Sequence, residues 1–354
     1  MRRVLMTLLV LLSLTLPVFA QESDETQELV DELPAQAQEL MEGMRPGEQT
    51  DLWGSVKKLF RGALSKSTKS LREAMKLCAL LLGITLLCGM VDMDGKNESA
   101  VRIVGALGIC TCLLASVQTA IGLASDTVRD LSTYSAFLLP VMASALAVSG
   151  APSSASALYA GTVLFSQLLM QLISKLLIPA VFFYLALATA EAALGNDMLS
   201  ELRECIGWLI SKSLRIVLYI FTGYMSLTGV ISGSADALAV KATKAAISGM
   251  LPVVGNIVSD ASETVLAGAA VLKNSVGIFG MLAVLGICLI PFLRVGIHYL
   301  ILKLTACVSA AIGMKPHVTL LKHVTSAMGF LLAMCGACAL LLLISGICFL
   351  KVVV

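Results

Sequence analysis

Charged side chains are scarce in this sequence: they make up 14 % of its 354 residues, against 58 % hydrophobic. Soluble domains carry about 25 %. A water-soluble globular fold is therefore excluded, and an all-α, polytopic helical membrane protein is the expected class. No Walker A lysine loop, nucleophile elbow or HExxH motif is present, so neither an enzyme nor an ATPase is expected. Any energy for transport would then come from an ion gradient or a separate partner. Nucleic acid is not among the expected partners.

Histidines number only 3, and the 10 cysteines do not repair that lack of metal ligands. Cys78, Cys88, Cys110, Cys112, Cys288, Cys307, Cys335, Cys338 and Cys348 lie in apolar runs and read as small buried hydrophobes. The Cys335-x-x-Cys338 pair has the spacing of half a zinc knuckle, with no second pair or His cluster to complete it. No metal and no cofactor is expected. His298 lies in an apolar window, and His317 and His323 flank a short loop with Lys315 and Lys322. A packed histidine is the plainer reading of His298 than a proton relay.

The chain opens with Arg2 and Arg3, an apolar run from Val4 to Leu16, and Pro17 before Val18-Phe19-Ala20. A basic start, a short apolar stretch and small residues at a cleavage point read as a signal peptide over 1–20; an uncleaved anchor is the alternative. Residues 21–52 are acidic, with ten carboxylates against Arg45 alone, and read as a flexible extracytoplasmic segment. Over 53–76 the balance reverses. Lys57, Lys58, Arg61, Lys66, Lys69, Arg72 and Lys76 surround an apolar face of Trp53, Val56, Phe60, Leu64, Leu71 and Met75. Such a basic amphipathic helix can lie on an anionic membrane surface or pack on the next domain. These cations favour the cytoplasmic side while the leader sends them outside; the leader acts first in export.

Charge-free windows locate the spans. They fall at 77–91, 103–125, twice between 131 and 174 with a break at 149–157, then at 176–190, 276–293 and 324–350, with two further apolar runs that do carry charge, 206–231 around Lys212 and Arg215 and 295–314 around Lys303. That predicts seven to nine membrane segments. Leu139-Pro140-Val141 returns as Leu251-Pro252-Val253, and Ile178-Pro179 as Ile290-Pro291, each 112 residues later. A run of small residues follows each Leu-Pro-Val, and a Tyr-Leu pair follows each Ile-Pro. The expected organisation is two spans over 77–130, a repeat half over 131–232 and a second over 233–354. Pro140, Pro179, Pro252 and Pro291 are the predicted helix breaks, giving broken or re-entrant hairpins, although small residues that merely pack helices would look the same.

Between the long apolar runs lies Ser232 to Gly277, SGSADALAVKATKAAISGMLPVVGNIVSDASETVLAGAAVLKNSVG, which is too polar for a lipid-facing span. Its candidate pore or docking residues are Asp236, Lys241, Lys244, Pro252, Asn256, Asp260, Glu263 and Lys273. At membrane depth they would line water or pair, which marks a functional site; outside the bilayer they would form a docking surface.

This string, followed by ICLIPFLRVGIHYLILKL, resembles stage III sporulation protein AE of endospore-forming bacteria, most densely from Thr222 to Lys303. The resemblance implies a polytopic component of the sporulation-specific secretion or feeding channel joining mother cell and forespore, placed in the mother-cell membrane around the engulfed forespore. It implies partners among the other stage III sporulation A-type membrane and ring proteins, including a separate motor ATPase. Membrane lipid is a further partner, and self-association is left open. No catalytic residue carries over. A pore or permease-like core, a structural scaffold of that complex and an independent ion-coupled small-solute transporter are the readings to separate.

Overall fold

The computed structural model describes residues 29–43, 52–91, 98–250, 255–312 and 315–351; within 229–273 it describes the backbone, and of the side chains only Leu238. The signal segment, most of the acidic stretch and Pro252 lie outside the described residues. Those described are helical almost throughout, with no strand among them. In chain order the helices are α1 Ala35–Leu40, α2 Leu52–Lys66, α3 Thr68–Val91, α4 Glu98–Val148, α5 Pro152–Leu172, α6 Ile178–Leu194, α7 Asp197–Met250, α8 Gly255–Ile312 and α9 Lys315–Lys351.

Six stretches among the described residues are long and apolar enough to cross a membrane: Thr68–Val91, Ser99–Val148, Pro152–Leu194, Asp197–Thr228, Asn274–Ala311 and Lys315–Lys351. Seven to nine were expected, and the difference has a physical origin. The charges that separate windows in the sequence do not end helices, since a charged residue costs little helix propensity. Windows 103–125 and 131–148 are the two halves of α4, joined through Asp126, Arg129 and Asp130, and windows 276–293 and 295–314 are halves of α8 on either side of Arg294. At 51 residues, α4 is about 76 Å long, more than twice the ~30 Å hydrocarbon core of a bilayer.

Side-chain contacts fix the register of these rods. At the lower end, where α6 turns into α7, His317 Nε2 donates to the Arg102 carbonyl at 3.2 Å and Arg102 Nε donates to the Ala193 carbonyl at 3.2 Å. At the upper end, Thr162 and Ser345 hydroxyls meet at 2.5 Å, and Tyr224 donates to the Ala157 carbonyl at 3.2 Å. Between them, Glu73, Thr119, Arg294 and His298 line one cavity, and Cys335 Sγ lies 4.0 Å from the Ala124 carbonyl. The rods therefore share a waist at which α3, α4, α5, α7 and α8 carry charge: Arg72, Glu73 and Lys76; Asp126, Arg129 and Asp130; Lys175; Lys212 and Arg215; Arg294. Two apolar tiers, each about 30 Å tall, lie on either side.

The centre is α8 and α9, whose most apolar windows are 61 % and 56 % buried, against 17 % in α3 and in α7. Helix α6 shows why it docks inward: Ile178, Val181, Tyr184, Ala188 and Ala192 recur every three or four residues and all are buried. Small residues let other helices close up. Gly161 lies under the Tyr224 ring, where a Cβ would stand 2.0 Å from a ring carbon.

The prolines do not break the chain as expected. Helices α4 and α8 run on through Pro140 and Pro291, because each ring removes one hydrogen bond and packing on neighbouring helices holds the rest. Pro179 cannot donate to the Lys175 carbonyl, and a π turn over Ile173–Leu177 falls at that point between α5 and α6. The break expected at 149–157 is present, where Gly150, at φ 97°, closes α4 and Pro152 opens α5.

Residues 29–43 correct the reading of the acidic segment as flexible. Leu29, Leu33, Ala37, Leu40 and Met41 are buried, at helical spacing, against α2 and α8, while Asp31, Glu32, Glu39 and Glu42 stay outside. The apolar stripe is short and hidden among carboxylates. Glu39 pairs with Lys66, and Lys58 Nζ donates to the Glu42 carbonyl at 3.0 Å.

Candidate functional site

The organising polar stretch is the upper end of two rods. The backbone is helical through Asp236, Lys241 and Lys244 in α7 and again through Asn256, Asp260, Glu263 and Lys273 in α8. Their side chains, and Pro252 entirely, lie outside the described residues.

A second polar centre sits in the lower tier, and it is built by a tight hairpin. Gly195, at φ 68°, ends α6 by donating its N–H to the Glu191 carbonyl at 2.8 Å, and the Asn196 side chain accepts the Met198 N–H at 3.0 Å as α7 begins. The reversal sets Glu191 of α6 against Arg203 of α7, and Arg203 Nε donates to Glu191 Oε2 at 2.7 Å. The Arg203 side chain is only 8 % exposed and that of Glu191 18 %.

Helix α9 completes the cluster. His323 Nε2 lies 3.9 Å from Glu191 Oε2, and its Nδ1 is 3.5 Å from the Tyr184 hydroxyl. The Arg203 guanidinium also stands 5.8 Å from the Tyr184 ring centroid, within cation–π range. Phe330 meets the same ring edge-on at 5.3 Å. Four polar or ionisable groups from three helices thus converge near the lower end of the bundle, and Glu204, largely exposed, lies 3.5 Å from Arg203 Nη2 on the outer side.

Removing an ion pair from water carries a penalty of several kcal/mol per ion, which the pair's mutual attraction need not repay. An apolar residue pair would hold these helices as well, so the cluster is a functional candidate on physical grounds. Glu191 also faces outward: with Asn196, Asp197, Ser200, Lys315 and Thr319 it lines a cavity of about 270 Å³ at the lower end of the bundle. Water or a small solute entering there reaches the carboxylate directly. Among the described residues no group of His, Cys, Asp and Glu is arranged to hold a metal ion.

Of these four residues, only His323 is named from the sequence, as a residue flanking a loop. Glu191 and Arg203 fall between the expected spans 176–190 and 206–231, and the Gly195-Asn196 turn between them was the local signal that could have paired them. His323 arrives from a helix 139 residues beyond Tyr184, and nothing local announces it. His298 remains a packed histidine in part: its Nδ1 donates to the Arg294 carbonyl at 2.9 Å.

The sequence profile described as stage III sporulation protein AE matches residues 35–351. A relative of that name from Bacillus subtilis (strain 168) is 24 % identical over 276 residues, 76 % of this chain and 69 % of the relative. No solved structure matches. The profile spans the bundle from α1 to the end of α9, so the chain is a multi-pass membrane protein of the stage III sporulation protein AE family.

Proposed function

We propose that this protein is the pore or permease-like core of the sporulation-specific channel that links mother cell and forespore and is needed for late forespore development. It sits in the mother-cell membrane around the engulfed forespore. There it works with the other stage III sporulation A-type membrane and ring proteins and with a separate motor ATPase. The observation that carries this reading is the Glu191–Arg203–His323 cluster, buried between three helices near the lower end of the bundle yet open to a cavity there. The polar stretch at the opposite end of α7 and α8 supplies the other mouth of the path. The test is genetic: Glu191→Gln, and Asp260→Ala with Glu263→Ala, should lower spore formation while membrane insertion is unchanged. Normal sporulation in both variants would remove the proposed path.

A structural scaffold is the second reading, favoured by one observation: α9 fills the middle of the bundle with Leu, Met, Cys and Ala side chains. Under it, the same substitutions would change co-purification with the partner proteins and leave flux intact.

A further inference from the structure

The waist holds a cavity that the proposed path does not use. Between α3, α4 and α8 a pocket of about 240 Å³ is lined by Ser70, Glu73, Ser116, Thr119, Arg294 and His298, among others. Its volume is equivalent to roughly eight water molecules, room enough for a small charged headgroup.

The polar groups in it are unevenly satisfied. Arg294 Nε is buried and has no hydrogen-bond partner, and no carboxylate among the described residues lies within 4.0 Å of its guanidinium. Arg294 lines the pocket with its charge unpaired by any carboxylate of the described residues, which favours an anionic oxygen or water from outside the chain. His298 commits Nδ1 to the Arg294 carbonyl, which leaves Nε2 for a ligand. Glu73, an exposed carboxylate on α3, is the one acid among the lining residues. Its charge disfavours a purely anionic guest and favours one that brings an amine as well.

The height of the pocket says where such a guest comes from. The lower tier is about as tall as one hydrocarbon core, so a bilayer around it ends at the waist, among exposed Arg72, Lys76, Arg129, Lys175 and Lys212. With the lower tier in a bilayer, phosphates of the lipid headgroups would lie at that level.

We propose that this cavity binds a phosphate ester carrying a primary amine, the phosphoethanolamine chemistry, with Arg294 and His298 on the phosphate, Ser116 and Thr119 beside it and Glu73 on the amine. Phosphatidylethanolamine in the adjoining leaflet and soluble phosphoethanolamine share that chemistry. The full-length chain in nanodiscs of equal phosphatidylethanolamine, phosphatidylglycerol and phosphatidylcholine, then exchanged into detergent, should retain about one phosphatidylethanolamine per chain by lipid mass spectrometry. Arg294→Gln should lower that retention at least tenfold, Arg129→Gln, further along α4 and outside the cavity, should not, and Glu73→Gln should abolish the preference over phosphatidylglycerol. Binding of soluble phosphoethanolamine by lipid-free protein, lost in Arg294→Gln, would name the free compound as the source. Equal retention in the parent chain and Arg294→Gln, or none in either, overturns the site. Should Arg294→Gln not fold, alkylation of Thr119→Cys decides: slowing by phosphatidylethanolamine over phosphatidylcholine supports the site, and equal rates refute it.

Discussion

Arg203 and Glu191 stand 12 residues apart across a helix reversal, and their largely buried side chains meet at 2.7 Å. Truncating one partner leaves the other charged and buried, so Arg203→Gln is expected to lower stability by about 3–5 kcal/mol. Replacing both, with Arg203→Met and Glu191→Leu, should restore the melting temperature in detergent to that of the parent or above. The double variant also separates structure from function. If it regains stability and still fails to sporulate, the charges serve the path; if it regains both, they serve the fold.

The Gly161–Tyr224 contact is a packing counterpart. A methyl group at Gly161 would stand 2.0 Å from Tyr224 Cε1, and that ring is held by Phe165 at 5.7 Å and by its bond to the Ala157 carbonyl. Gly161→Ala should cost about 1–3 kcal/mol through overpacking. Adding Tyr224→Leu should recover part of that loss in the same thermal melts. No recovery would place the strain in the backbone and not in the ring.

Much of the fold was legible because the signals were local. Apolar windows marked the helices, Gly150 and Pro152 marked a reversal, and the basic pattern over 53–76 marked α2 and the start of α3. What failed was any inference that needed two distant segments. Charges at Asp126, Asp130 and Arg294 looked like span boundaries because a sequence cannot show that rods carry their charges at one height. The Glu191–Arg203–His323 cluster was missed for the same reason. The stripe Leu29, Leu33, Ala37 and Leu40 was overlooked because surrounding carboxylates lower the mean hydropathy while leaving the helical spacing intact.

The amphipathic pattern over 53–76 resolves into two faces. Leu59 and Ala63 are buried against the bundle, whereas Trp53, Phe60, Leu64, Leu71 and Met75 form an outward stripe, 46–79 % exposed, with Lys57, Arg61, Arg72 and Lys76 also exposed. This stripe is expected to rest in the headgroup region. The chain has 2 tryptophans, so Trp208→Phe leaves Trp53 as the reporter. Its fluorescence in nanodiscs should be quenched by nitroxides at headgroup depth more than by nitroxides near the acyl terminus. Equal weak quenching by both would place α2 in water.

For the upper end of α7 and α8, cysteines introduced through Gly233–Lys273 in a cysteine-depleted chain, including Asp236, Asn256 and Asp260, should give a periodic pattern with an impermeant thiol reagent. The pore reading expects some positions to react from each side of the membrane. Uniform reactivity from one side would make the stretch a docking segment and favour the scaffold.

The unbroken passage of α4 and α8 through the waist, prolines included, makes each a lever. A rod of 51 residues that tilts by about 5° about one end carries the other through roughly 6–7 Å. A displacement at the upper end of α4 therefore travels along one rigid element to Arg102, whose bond to the Ala193 carbonyl ties α4 to the helix that carries Glu191, and the soft π turn before Pro179 marks where the α5–α6 strut can bend to let it move.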